Sequence, residues 1–304
     1  MNLRKLPPLW PAPRLLNVSL KQTRVLDGWH FRITSNTDCD VVTRAIVRYR
    51  NLTLPSSTTR SGIDGDRDAP ANLLSSLHVG VRRHNGANNC GYPPPKANER
   101  YTLTIPASGD ANLTSETVWG ALRGLETFSQ MVLARPNERY AVVNSGEVRD
   151  FPRFSHRGIL MDTARHFLPV AIIKQNLVGA YSKRHVYSEE DVRGVVEYAR
   201  LRGIRVIPEI DTPGHTHALG RAFPDALTPC YGNGSRGTAS LGQHGAFEML
   251  DPTKNLTYSL VQSLISQVAK VFKDPYVHLG MDEVYYDCWY DRENMMFITL
   301  LHKN

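Results

Sequence analysis

The sequence predicts an α/β protein in two parts: a mixed sheet-and-helix unit over residues 1–150, then β-then-α repetition over residues 151–304. Three observations carry this. Strand-like apolar runs alternate with two helical patterns through the first half. From Phe151 the runs are separated by helices, which implies parallel βαβ units and a (β/α) barrel or an open sheet. The last apolar run, Tyr276-Val-His-Leu-Gly280, stops just before Asp282 and Glu283. A barrel strand delivers acid/base groups to its C-terminal rim in this way.

In the first part, His30-Phe-Arg-Ile-Thr34 alternates as a strand does, and Asp40 to Tyr49 has helical spacing. Leu77–Val81 and Tyr101–Ile105 read as strands. Ser115 is the expected N-cap of a helix with Val118, Leu122, Leu125, Phe128 and Val132 on one face. Tyr140–Val143 closes the unit as a strand. The stretch 54–72, with Pro55, Gly62, Gly65 and Pro70, is a loop.

In the second part, Gly158-Ile-Leu-Met-Asp162 reads as a buried strand ending in a carboxylate. Pro169 opens a helix to about Lys183. Ser188-Glu-Glu-Asp191 starts another, with Val192, Val195, Val196 and Ala199 on one face and Gly203 as its stop. Ile204–Ile210 is the next strand, and Pro208 within it marks an end or a bulge. Asp211-Thr-Pro-Gly-His215 is the loop that follows. Leu256–Phe272 is helical, and Tyr276–Gly280 is the last strand. The helices 169–183 and 188–202 are joined without a strand, because Arg184-His-Val-Tyr187 is too short and polar. Three strong strands in roughly 150 residues fall short of the eight strands and about 250 residues of a full barrel.

Composition narrows the function classes. At 304 residues the chain has room for two domains, and 41% hydrophobic content suits a globular protein. The net charge of +7 is dispersed, with mild clustering at Arg44, Arg48 and Arg50 and at Arg82 and Arg83. No aromatic interleaving accompanies it, so no nucleic-acid partner is expected. No apolar run reaches the ~20 residues of a membrane span. The N-terminus is basic but lacks the apolar core of a signal peptide. Five Asn-x-Ser/Thr sequons, at Asn17, Asn51, Asn112, Asn233 and Asn255, nevertheless point to the secretory route. The four cysteines fall into two local pairs, Cys39 with Cys90 and Cys230 with Cys288. They suit disulfides or, alternatively, buried free thiols.

Adjacent carboxylates cannot both ionise freely, so one of Asp282 and Glu283 is expected to keep a proton it can donate. A metal-dependent alternative would use Asp211, His215 and His217 as a carboxylate–imidazole cluster. A carbohydrate-binding module without catalysis would need an exposed aromatic row, and none is visible.

Taken together, several motifs resemble family-20 glycoside hydrolases of the animal β-N-acetylhexosaminidase type. They are Leu9-Trp-Pro, Ser115-Glu-Thr-Val-Trp-Gly-Ala-Leu-Arg-Gly-Leu-Glu-Thr-Phe-Ser129, Phe151-Pro-Arg-Phe-Ser-His-Arg-Gly158, Asp162-Thr-Ala-Arg-His166, Glu197-Tyr-Ala-Arg-Leu-Arg-Gly-Ile204, Asp211-Thr-Pro-Gly-His-Thr216 and His278-Leu-Gly-Met-Asp-Glu-Val284. The resemblance implies an N-terminal α/β domain, then a (β/α)8 TIM-type barrel that is incomplete here. It implies removal of terminal N-acetylglucosamine or N-acetylgalactosamine from β-linked glycans, with the substrate's own acetamide as nucleophile. Glu283 would be the general acid and then base, and Asp282 would orient the acetamide and stabilise the cationic intermediate. Arg157 would hold sugar hydroxyls, against the alternative of an ion pair with Asp150 or Asp162. His215 would support Glu283. Cys39–Cys90 and Cys230–Cys288 would be disulfides. No metal or cofactor is implied, a homodimer is, and the compartment would be lysosomal or secreted.

The chain departs from the family pattern in three places. Met281 stands where the family has a second Gly, at a point where positive φ or close backbone approach is expected. The second barrel strand, with its His-x-His and Asp-Asp segment, is missing between Lys183 and His185. The aromatic walls, tyrosine and carboxylate of the later strands have no counterpart. The competing expectation is therefore a catalytically inactive, truncated or splice-type fragment.

Overall fold

The computed structural model describes residues 8–54, 70–82, 90–134, 140–163, 169–170, 187–228, 249–282, 284 and 289. The chain forms two compact units. The first comprises Met1–Tyr187 with Glu197–Arg205, and the second Ser188–Val196 with Val206–Asn304.

The first unit is built on strands β1 (Leu15–Asp27), β2 (Arg32–Ser35), β3 (Ser76–Val81), β4 (Tyr101–Ile105), β5 (Ala111–Ser115), β6 (Leu133–Ala134) and β7 (Tyr140–Asp150). They pair in the order β1-β7-β4-β5-β3-β2, with β6 on β7. β2, β3 and β5 run parallel, whereas β4 is antiparallel to β5 and β7. Strict alternation explains the buried face: Leu77, Val79 and Val81 point inward from β3, and Tyr101, Leu103 and Ile105 from β4.

Helices α1 (Asp40–Thr53) and α2 (Val118–Met131) contribute to the same core. α1 turns Val41, Val42, Ala45 and Tyr49 inward. α2 turns in Trp119, Leu122, Leu125 and Phe128, and Phe128 stacks on Phe31 at 5.9 Å between ring centroids. The N-cap of α2 is Thr117, whose hydroxyl accepts from the Gly120 amide at 3.3 Å, rather than Ser115. Ser115 is the last residue of β5, and an N-cap must lie after the strand has ended.

Cys39 and Cys90 form a disulfide at the start of α1, with Cα atoms 5.7 Å apart. Closing a loop of 51 residues in this way stabilises by about 4 kcal/mol in the chain-entropy account. Cys230 and Cys288 lie outside the described residues, as do the helix expected from Pro169 to Lys183 and the sequon at Asn233. Asn17, Asn51, Asn112 and Asn255 are all exposed.

Helix α3 (Glu189–Arg200) begins in a reciprocal box. The Ser188 hydroxyl accepts from the Asp191 amide at 3.1 Å, while the Asp191 carboxylate accepts from the Ser188 amide at 3.0 Å. It ends at Gly203, whose φ of 66° is the left-handed stop expected there. The last turn of α3 belongs to the first unit. Arg200 is buried and donates to Asp40, to Glu197 at 2.7 Å and to the Cys90 carbonyl.

The second unit holds a two-stranded parallel sheet, β8 (Glu209–Thr212) with β9 (His278–Gly280). Helix α4 (His217–Ala222), a 3-10 turn at Pro224–Ala226 and helix α5 (Asn255–Val271) complete it. Ala226, Leu227 and Leu250 form a small core with Leu260 and Val261 of α5. Thr257 is buried and donates to the Ala226 and Asp251 carbonyls.

Two expectations are corrected here. Gly158–Asp162 is not a buried strand: no described strand pairs with it, and Ile159 and Leu160 are 78% and 71% exposed. An apolar run becomes a barrel strand only when neighbours pair with both its edges. The strand expected at Ile204–Ile210 begins only at Glu209, because Pro208 has no amide to give a ladder.

Candidate active site

Strands β8 and β9 end side by side, with Thr212 opposite Gly280. That register brings Asp211 and the residues after Gly280 to one edge of the ladder. Gly280 has φ 69°, and Met281 follows with φ 72°. The left-handed turn expected where the family places glycine is present, occupied here by a residue with a β-carbon. His215 also has positive φ, 54°.

Three side chains converge. His215 Nε2 lies 3.6 Å from Asp282 Oδ2 and 3.9 Å from Asp211 Oδ2. Asp211 and Asp282 lie close enough at this edge for their charges to interact. Burial pushes the Asp211 carboxyl above its ordinary range, and the neighbouring Asp282 pushes it further. His215 and the Met281 backbone N–H act in the opposite direction. The donor atoms of all three side chains lie within 4.8 Å of one another. The side chains of Glu283 and His217 lie outside the described residues.

Arg157 is engaged in the first unit. Its guanidinium pairs with Glu99 and donates to the Phe154 carbonyl at 2.8 Å. Glu99 is buried and also accepts from Arg123 at 2.7 Å, and Arg123 donates to the Gly203 carbonyl at 3.2 Å. The ion pair therefore exists, with a partner other than Asp150 or Asp162. Nothing in the sequence signals Glu99, which is 58 positions away from Arg157. Asp211 was legible only as a member of its motif; its contact with Asp282 depends on strand register.

Two family descriptions match. "Glycosyl hydrolase family 20, catalytic domain" covers residues 176–300, and "beta-acetyl hexosaminidase like" covers residues 9–131. The beta-hexosaminidase subunit alpha of Mus musculus is 36% identical over 329 residues, using 94% of this chain and 59% of that protein. The subunit beta of Homo sapiens is 41% identical over 327 residues, with 93% and 55% covered. This chain thus spans less than three fifths of these relatives' length. In the mouse alignment, 94% of 304 residues is about 286, so about 43 of the 329 aligned positions have no residue from this chain.

Among solved structures, the Flavobacterium johnsoniae chitobiase superimposes with a TM-score of 0.71 at 24% identity, covering 99% of this chain and 48% of that one. A Vibrio harveyi exo beta-N-acetylglucosaminidase in complex with N-acetylglucosamine also reaches 0.71, at 18% identity, with 100% and 50% covered. At these identities the likeness speaks for the fold, an α/β architecture of the TIM-barrel type. Two family matches, one in each half of the sequence, and relatives aligned along more than nine tenths of it together show that the chain belongs to glycosyl hydrolase family 20.

Proposed function

We propose that the chain acts on terminal non-reducing N-acetyl-β-D-hexosamine residues, with substrate-assisted, retaining hydrolysis as its chemistry. The observation that carries this reading is the meeting of Asp282 and His215 at the shared end of β8 and β9. In this reading Asp282 holds the 2-acetamido group and faces the positive charge that grows on it. Glu283, next in the chain, protonates the leaving oxygen and then takes a proton from water. His215 supports the acid/base group, and no metal or cofactor takes part. Arg157 has an observed ion pair with Glu99, so we assign it to that pair rather than to sugar hydroxyls.

The domain reading follows: residues 1–150 an accessory α/β domain, residues 151–304 the first part of a catalytic barrel. The Cys39–Cys90 disulfide supports an oxidising compartment, secreted or lysosomal. Among the described residues no helix is long and apolar enough to cross a membrane. Pairing with a second copy belongs to the same reading.

A second reading, a catalytically inactive fragment, is favoured by specific observations. Ile159 and Leu160 are exposed where a first barrel strand should be buried, and about 43 aligned positions of the mouse relative have no counterpart. Hydrolysis of an aryl N-acetyl-β-glucosaminide by the purified chain, with Glu283→Gln as control, separates the two. Turnover that disappears in the control supports the enzyme. Soluble, folded protein without turnover supports the fragment.

A further inference from the structure

We propose that Asn112 carries an N-linked oligosaccharide that covers the open face of the first unit's sheet. The proposal rests on the oxidising, secretory compartment argued above from the Cys39–Cys90 disulfide.

Strand register places Asn112 on that face. Along β5, Ala111, Leu113 and Ser115 are buried, whereas Asn112 and Thr114 are exposed. Both sequon side chains therefore point away from the helices, on whose side of the sheet Leu77, Leu103 and Leu113 join the core. Cross-strand pairing extends the open face into one row: Thr34, His78, Asn112, Thr104, Glu147 and Asn17. Asn17 is itself the asparagine of a sequon. It lies three strands from Asn112 and, at about 4.8 Å per strand, roughly 14 Å away. The row is polar from end to end and lacks the large apolar anchors that seat a protein partner.

The chemistry is a group transfer on the nascent chain from a lipid-linked oligosaccharide. Asn112 Nδ2 forms a bond to the anomeric carbon of the sugar, the bond from that carbon to the lipid diphosphate breaks, and the nitrogen gives up one proton as the diphosphate leaves. Folding then tolerates the product. Asn112 Nδ2 donates to the Asp110 carbonyl at 3.5 Å, the long limit of a hydrogen bond, so little is lost when it is substituted. β5 pairs through its backbone with β3 and β4, and a modified side chain leaves both ladders intact. The Thr114 side chain stays exposed in the folded chain, whereas Thr53 and Thr257 are buried. His78 is paired directly with Asn112 on the neighbouring strand, exposed on the same face, and falls beneath the sugar.

The test is secretion of the full chain from cultured eukaryotic cells, followed by peptide mass mapping and by carbethoxylation of histidines with diethyl pyrocarbonate. The Asn112 peptide should carry a glycan, and amidase release should convert Asn112 to Asp. Asn112→Gln and Thr114→Ala should each lose this glycan and keep those at the other sequons. His78 Nδ1 lies 3.1 Å from the Thr34 hydroxyl, so the reagent takes Nε2. That reaction should be severalfold slower in the glycosylated chain than in either variant. His30, exposed on the turn after β1 and outside the row, should react at one rate in all three. If Asn112→Gln is not secreted, Thr114→Ala carries the comparison, and amidase treatment of the folded chain repeats it without substitution. A bare Asn112 overturns the proposal, and mapping of Cys39–Cys90 in the same sample decides separately whether the compartment reading falls with it. Equal His78 rates with and without the glycan overturn the covering of the face.

Discussion

Gly280 and Asp211 are in such close contact that any side chain on Gly280 would occupy the place of the Asp211 carboxyl, with its Cγ 2.6 Å from the added carbon. Gly280→Ala adds that clash to the cost of a left-handed backbone. We expect a loss of about 2 kcal/mol or more, read by chemical denaturation. A variant as stable as the parent would show that β8 and β9 are not held together in this way.

Met281→Gly should have the opposite sign. The left-handed conformation costs a residue with a β-carbon about 1–2 kcal/mol, and part of that relief is offset by the greater freedom of glycine when unfolded. A net gain of about 1 kcal/mol is expected in urea denaturation. The exposed Met281 side chain gives up little packing when it is removed.

The Glu99 network predicts an order of effects. Glu99→Ala strips a buried anchor from Arg123 and Arg157 together and should cost about 2 kcal/mol. Arg157→Ala should cost less, since Glu99 keeps Arg123. Thermal denaturation of the two variants gives the ranking, and the reverse order would contradict the assignment of Arg157 to this pair.

Asp40 predicts a pH effect. The Arg200 guanidinium holds its carboxyl below the usual range. A lowered folded value means that the carboxylate contributes stability above its ordinary pKa of 3.8, and that this is lost as pH falls through the lowered value. Asp40→Asn should therefore be less stable than the parent near neutrality and converge with it in acid. Parallel curves down to the lowest pH would exclude the contribution.

Local chemistry was legible in the sequence, and burial set by neighbours was not. The Ser188–Asp191 start and Gly203 stop of α3 need only a few adjacent residues, and both are where the sequence puts them. The apolar face of α1 follows from spacing alone. Gly158–Asp162 has equally apolar residues, but a strand's burial belongs to the sheet around it. Likewise Asp282 and His215 could be named from motifs, whereas their contact and the intrusion of Asp211 depend on how two strands separated by 65 residues align. The pairing of Arg157 with Glu99 had no local signature at all.

Thr257 and Thr53 have consequences for the order of events during synthesis. Each is the hydroxyl member of a sequon, for Asn255 and Asn51, and each is buried in the folded chain. An oligosaccharide transferase must reach that hydroxyl while it recognises the asparagine. Exposure of the asparagine is then not enough. A glycan on Asn51 or Asn255 has to be attached to the nascent chain before α1 and α5 settle, and refolded protein offered to the same transferase would stay bare at both positions.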